Sequence, residues 1–298
     1  MKNFIIGLVV LIIIGLGIYF ITKKPAVVVD NTPITTETPQ ATTTTPTVKP
    51  EGSMVVIGKS AQGRDITAYN FGTGEKRILL VGGIHGGYSW NTSLLAYQVM
   101  DYLKANPNTI PKNIIVTVVP TLNPDGLNKA TGKDGLFVKS DVSTVQSVLT
   151  SSRFNANNVD LSRNFDCDWK PVGVWQKKPV SGGSTVFSEP ESLAVKNYVD
   201  SHSLSAVVVW YSSAGGVYAS SCGGDVAPET ISITDIFAKA SGYPAYDSYD
   251  FYETTGDMVN WLAKNNIPAI SVLLTTHTDT ELEKNRKGIE ALLQHYAK

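Results

Sequence analysis

Metal-assisted hydrolysis needs imidazoles and carboxylates that converge, and this chain holds only four histidines. A catalytic zinc takes three protein ligands and keeps one position open for a water that becomes the nucleophile. His85 follows an apolar run inside Gly82-Gly83-Ile84-His85-Gly86-Gly87; by itself it is a polar residue in a glycine-rich turn. His277, Asp279 and Glu281 lie close together after a later apolar run, and two or three of them could approach a cation. Thr278-x-x-Glu281 also has the form of a capping box, which would commit Glu281 to a helix start instead. His202 and His295 stand in polar helical contexts and read as solvated surface. Cys167 and Cys222 are the only cysteines. They are either a disulfide or two small hydrophobes, because sequence does not report whether their Cα atoms lie within about 7 Å.

The elements that must position these groups follow an α/β pattern. Apolar runs at Met54–Ile57, Ile66–Tyr69, Ile78–Val81, Ile114–Val119, Ala206–Trp210 and Ala269–Leu274 alternate with amphipathic stretches, as in an α/β layer fold. Several runs lack polar alternation, which suits strands buried on both faces. Ser188-Glu189-Pro190-Glu191 predicts one helix start, with Ser188 and Glu191 as a capping box and Pro190 in the first turn. Thr278-Asp279-Thr280-Glu281 predicts another, before a helix whose Leu282, Ile289, Leu292 and Leu293 share a face. With no internal repeat and no long linker, residues 51–298 read as one domain.

The N-terminus is of a different kind. Phe4 to Ile21 is an uninterrupted apolar run flanked by Lys2, Lys23 and Lys24. It is long enough for a bilayer core of roughly 30 Å, and Tyr19 to Lys24 offers no small-x-small cleavage site. Residues 1–24 are therefore expected to form a transmembrane anchor, with the folded domain outside the cytoplasm. Residues 25–50 are dominated by Thr and Pro, cannot repay the entropy of ordering, and read as a disordered tether. A formal net charge of -1 gives no electrostatic footprint for nucleic acid.

Four ordered segments together resemble the zinc carboxypeptidase family: Gly82–Gly87 after a strand, Pro120-Thr121-Leu122-Asn123-Pro124-Asp125-Gly126, Asn158-Val159-Asp160-Leu161-Ser162-Arg163-Asn164-Phe165, and Ser188–Glu191. Asn266–Ile270 and Glu283-Lys284-Asn285 add to the match, which runs from about Met54 to the C-terminus. Asn-Pro-Asp-Gly alone would be only a favourable turn. The resemblance implies a mixed, mostly parallel sheet of eight strands between helices, with a zinc site at the carboxyl ends of central strands.

Carried over residue by residue, the resemblance places His85 at the first zinc position. The partner Glu is absent: Tyr88 stands at the usual spacing, or Ser89 if the loop is one residue longer. Tyr211 replaces the second His, Leu273 replaces the general base, and Ser162 stands for the Asn of the substrate-binding Asn-Arg pair. Tyrosine ionises near pH 10 and is a poor zinc ligand at neutral pH, and leucine cannot move a proton. Zinc, the cofactor the family implies, is thus expected to be absent or weakly held. What the resemblance retains is the binding side. Arg153 and Arg163 match the arginines that grip a substrate's terminal carboxylate and polarise its carbonyl, and Tyr252 resembles the tyrosine that closes over bound peptide. Asp257 could favour a basic side chain in the ligand. The expected function is a membrane-anchored pseudopeptidase binding peptides by a free C-terminal carboxylate. The alternatives are an active zinc carboxypeptidase and a non-binding structural module.

Overall fold

The computed structural model describes residues 53–298. The expected anchor and tether lie outside the described residues, and within those residues no helix is long and apolar enough to cross a membrane. In chain order the elements are β1 (Ser53–Lys59), β2 (Asp65–Gly72), β3 (Lys76–Val81), α1 (Trp90–Ala105), β4 (Ile114–Val119), α2 (Pro124–Thr131), α3 (Gln146–Ser151), β5 (Val172–Trp175) and β6 (Lys178–Ser181). There follow α4 (Pro190–Asp200), β7 (Leu204–Ser212), β8 (Gly216–Ala219), α5 (Pro228–Ser241), β9 (Ala245–Tyr246), α6 (Met258–Lys264), β10 (Ala269–Leu274) and α7 (Leu282–Tyr296).

Eight strands form one mixed sheet in the order β1-β2-β4-β3-β7-β10-β8-β9, and β5 and β6 form a separate hairpin. The central pairings β4/β3, β3/β7 and β7/β10 are parallel. The pairings β1/β2, β2/β4 and β10/β8 are antiparallel. Because strand side chains alternate between faces, each central strand feeds two cores. Leu79, Val81, Val207, Val209, Tyr211 and Leu273 face α4, α6 and the segment around Phe165. Ile78, Leu80, Val208, Trp210, Val272 and Leu274 face α1, α5 and α7. Apolar residues on both faces of these strands are what a three-layer α/β/α sandwich requires, with roughly 1.5–3 kcal/mol for each fully buried large aliphatic side chain. Tyr211 and Leu273 are register partners on adjacent parallel strands, so the two positions meet at the carboxyl edge of the sheet.

Three local expectations are corrected. Glu191 does not cap its own helix: Glu189 is the N-cap residue of α4, and the buried Glu191 carboxylate accepts from the Ala61 amide at 2.9 Å and from Asn155 Nδ2 at 3.0 Å. Thr278 and Glu281 make no capping box either. Glu281 is itself the residue before α7, in the left-handed region at φ 47°. Its carboxylate accepts from the Thr275 amide and the Tyr243 hydroxyl, both at 2.7 Å. Both carboxylates take donors other than the helix-start amides that sequence spacing suggests, among them the distant Ala61 and Asn155 for Glu191 and Tyr243 for Glu281. Asn123-Pro124-Asp125-Gly126 is also more than a turn: the Asn123 side chain accepts from Gly126 N at 2.8 Å and opens α2.

Candidate functional site

The turn after β3 presents His85. Gly83 and Gly86 adopt φ +67° and +46°, and a Cβ on Gly86 would lie 2.5 Å from the Ser152 carbonyl oxygen and 2.8 Å from Gly126 Cα. Only glycine lets this turn press against the start of α2 and the backbone that leads into Arg153. His85 is buried, with Nε2 3.0 Å from Ser162 Oγ and 3.7 Å from Asp160 Oδ1. Burial, reinforced by Arg153, pushes its pKa well below the ordinary 6.5, so the imidazole is neutral.

Asp160 is the hub of the network. Its Oδ2 accepts from Arg153 Nε at 2.9 Å and forms an ion pair with Arg153 Nη2 at 2.8 Å. Its Oδ1 accepts from Ser162 Oγ at 2.8 Å and Ser162 N at 3.2 Å. Burial works against the charge, but Arg153, with His85 and Arg163, outweighs it and holds the carboxyl well below the usual carboxylate range. With the Ser162 proton committed to Asp160, His85 Nε2–H donates to Ser162 Oγ. His85 Nδ1 is then left as a bare acceptor, and it has no partner.

Arg153 and Arg163 are each 2% exposed. Arg153 spends its Nε/Nη2 edge on Asp160, and its guanidinium lies over the Trp175 ring at 4.5 Å from the centroid. Arg163 donates from Nη1 to the Ser162 carbonyl at 3.0 Å and from Nη2 to the Val174 carbonyl at 3.3 Å. Tyr252 lies over it, with 5.6 Å from Cζ to the ring centroid. These groups line one cavity of about 410 Å³, together with His85, Tyr88, Tyr211, Asp257, Leu273 and His277, a size in the range of small-ligand sites.

The loop ambiguity after His85 resolves geometrically. Tyr88 lines the cavity, its ring 4.6 Å from that of His277, while Ser89 is buried away from it and leads into α1. The Tyr211 hydroxyl donates to Asp257 Oδ2 at 3.1 Å. Burial, then Asp257, drives the phenol pKa well above 10.0. Asp257 Oδ1 caps α6 by accepting from Val259 N and Asn260 N, and Asp257 also lines the cavity. Glu281 and Asp279 are likewise committed: Asp279 Oδ1 accepts from Glu281 N at 2.9 Å. His202 and His295 are half-buried rather than free in solvent. His202 stacks on Tyr198 at 4.1 Å, and His295 Nε2 lies 2.9 Å from Glu229.

Cys167 and Cys222 are bonded, with Cα atoms 5.8 Å apart. Sequence reasoning overlooked Asp160, Trp175, Tyr218 and Gln176 as part of the site. Asp160 carried a signal, an acid two and three residues before Ser162 and Arg163. Trp175 and Gln176 carried none, since the first ends a short, partly exposed strand and the second lies in the turn after it.

A family model described as zinc carboxypeptidase matches residues 46–282. This chain belongs to the zinc carboxypeptidase family. It is 29% identical to carboxypeptidase Z of Rattus norvegicus over 122 residues, 37% of this chain but 17% of that protein. It is 26% identical over 171 residues to a protein of Talaromyces marneffei named inactive metallocarboxypeptidase ecm14, covering 53% of this chain and 26% of that one. The fold is similar to murein-tripeptide amidase MpaA of Escherichia coli O157, with TM-score 0.58, 21% identity, and coverage of 82% and 92% of the two chains.

The zinc ion of this family does not suit the donors present. His85 offers one imidazole nitrogen; Tyr211 is a neutral phenol tied to Asp257, Tyr88 is half-buried with its pKa raised by burial, and Leu273 has no donor. Two buried guanidinium groups add positive charge beside His85. Among the described residues, three His, Cys, Asp or Glu ligand atoms converge only at Cys167, Asp168 and Cys222, and those sulfurs are joined to each other.

Proposed function

We propose that this family member is a membrane-tethered, extracytoplasmic protein that binds peptides by their free C-terminal carboxylate and does not hydrolyse them. The observation that carries this reading is the contrast within one cavity: Arg153 and Arg163 are buried at its wall, while the ligand and base positions hold Tyr88, Tyr211 and Leu273. Guanidinium groups suit carboxylates because their planar fork matches both oxygens. Hydrolysis lacks a group to activate water and a group to take its proton. The name of the Talaromyces relative supports an inactive branch, and the murein-tripeptide amidase suggests short cell-wall peptides as one ligand class. The tether reading rests on the apolar run Phe4–Ile21 and the Thr/Pro segment after it.

Titration of the full chain with N-acetyl-Ala-Ala-Phe and with its C-terminal amide tests the reading. Binding of the acid and at least tenfold weaker binding of the amide are expected, the loss of one charge-assisted contact being about 1.5–3 kcal/mol. Equal binding, or none, contradicts it; none would favour a structural module. A second reading, an active zinc enzyme, draws on the buried, unpartnered Nδ1 of His85 and requires stoichiometric zinc with release of C-terminal residues.

A further inference from the structure

The β5–β6 hairpin lies over Arg163, and what it covers is unusual. Gly173 sits so close that a Cβ there would be 2.9 Å from Arg163 Cδ, 3.2 Å from Arg163 Nε and 3.3 Å from Thr255 Oγ1. Both of those polar atoms are buried and without a partner, and both residues are 2% exposed. The next residue, Val174, puts its carbonyl on Arg163 Nη2 at 3.3 Å, longer than a good N–H···O contact. The hairpin therefore covers the Nε/Nη2 edge of Arg163, an edge that can grip a carboxylate with two parallel bonds. The corresponding edge of Arg153 is held by Asp160.

The two ends of the hairpin are held differently. At its base, Asp160 N donates to Ser181 O at 3.0 Å, Gly182 N to Pro171 O at 2.9 Å, and Asn164 Nδ2 and Trp169 Nε1 to Gly182 O at 2.7 and 2.9 Å. At its tip, Gln176 Nε2 donates to the Tyr88 hydroxyl at 3.0 Å, and the Trp175 indole packs on Arg153 and edge-on to Tyr88. The base is thus held by backbone and side-chain hydrogen bonds, and the tip by one side-chain hydrogen bond and the packing of the Trp175 ring on Arg153, Tyr88 and Phe154.

We propose that the β5–β6 hairpin is an autoinhibitory strap over a carboxylate fork made of Arg163 Nε and Nη2 with Thr255 Oγ1, and that strap and ligand carboxylate exclude each other there. This rests on the peptide-binding reading and adds a regulatory step to it. A ligand oxygen satisfies two groups that the seated strap leaves unpaired, which offsets the lost tip contacts.

The test uses the full chain, N-acetyl-Ala-Ala-Phe, and amide hydrogen exchange. Saturating peptide is expected to speed exchange across residues 173–180. Gln176→Ala, which loosens the tip without touching the fork, is expected to bind the peptide about fivefold more tightly, the equivalent of one ordinary hydrogen bond. Wild-type binding with hairpin exchange unchanged or slowed, and no gain in Gln176→Ala, overturns the strap and leaves the peptide reading intact. Absence of binding in both proteins overturns the carboxylate reading, and the strap with it.

Discussion

The two sides of the cavity differ in how completely they are built. On one side Asp160, Arg153, Ser162 and His85 form a buried network in which Asp160 accepts three hydrogen bonds and pairs with the Arg153 guanidinium. On the other, Tyr211 and Leu273 stand side by side at the ends of β7 and β10 and continue the apolar core, with one hydroxyl drawn aside to Asp257. The first side is costly to build, since buried charge is tolerated only when fully paired. The second is held mainly by apolar packing, with the Tyr211–Asp257 hydrogen bond as its polar contact. The contrast is what supports the proposed reading, in which a recognition surface is kept without the chemistry of the family.

The strongest way to break the contrast is to rebuild the second side. Tyr88→Glu with Tyr211→His and Leu273→Glu supplies His85 with two further ligands and a base. Zinc affinity should rise by several orders of magnitude, read by metal analysis after dialysis. No gain would mean that the three positions do not converge as the strand register indicates. On the first side, Asp160→Ala leaves Arg153 buried and unpaired, which should cost about 3–5 kcal/mol. For a domain of this size that is a melting temperature lower by roughly 10 °C. Asp65→Ala at the exposed Lys59–Asp65 pair, where the side chains are 65% and 50% exposed, should cost less than about 1 kcal/mol. Arg163→Gln should weaken binding of N-acetyl-Ala-Ala-Phe by at least about thirtyfold, the lower end of removing one buried charged partner, with secondary structure unchanged by circular dichroism.

The smallest effect concerns pH. His85 is held neutral, its folded pKa below 6.5, so the unfolded chain binds more protons as pH falls below that value and stability declines. The decline cannot exceed about 1.4 kcal/mol per pH unit for one group. His277 is shifted the same way by burial and Arg153. Urea midpoints measured between pH 7 and 5.5 should therefore fall in the wild type and fall less steeply in His85→Gln.

Much of this was legible in sequence where hydrophobic runs were long. The runs at Ile114–Val119 and Ala269–Leu274 coincide with β4 and β10, because strands buried on both faces are apolar without strict alternation, here broken only by Thr117 and Ser271. The strands β8 and β9, of four and two residues, are too short to show a period, and β5–β6 is partly exposed and holds Pro179. The capping boxes misled for a physical reason: Glu191 and Glu281 take other donors, among them the distant Ala61 and Tyr243. At the site, motif order identified His85, Arg153 and Arg163, but the use of Asp160 by Arg153 and Ser162 and the covering of Arg163 by Gly173 depend on long-range packing that no local spacing encodes.

The central claim, binding without cutting, is tested most directly by incubating the full chain with N-acetyl-Ala-Ala-Phe and one equivalent of zinc, then measuring bound peptide and released phenylalanine together. The account predicts bound, intact peptide and phenylalanine release at the uncatalysed background. Multiple turnovers of release, abolished by a chelator, would contradict it.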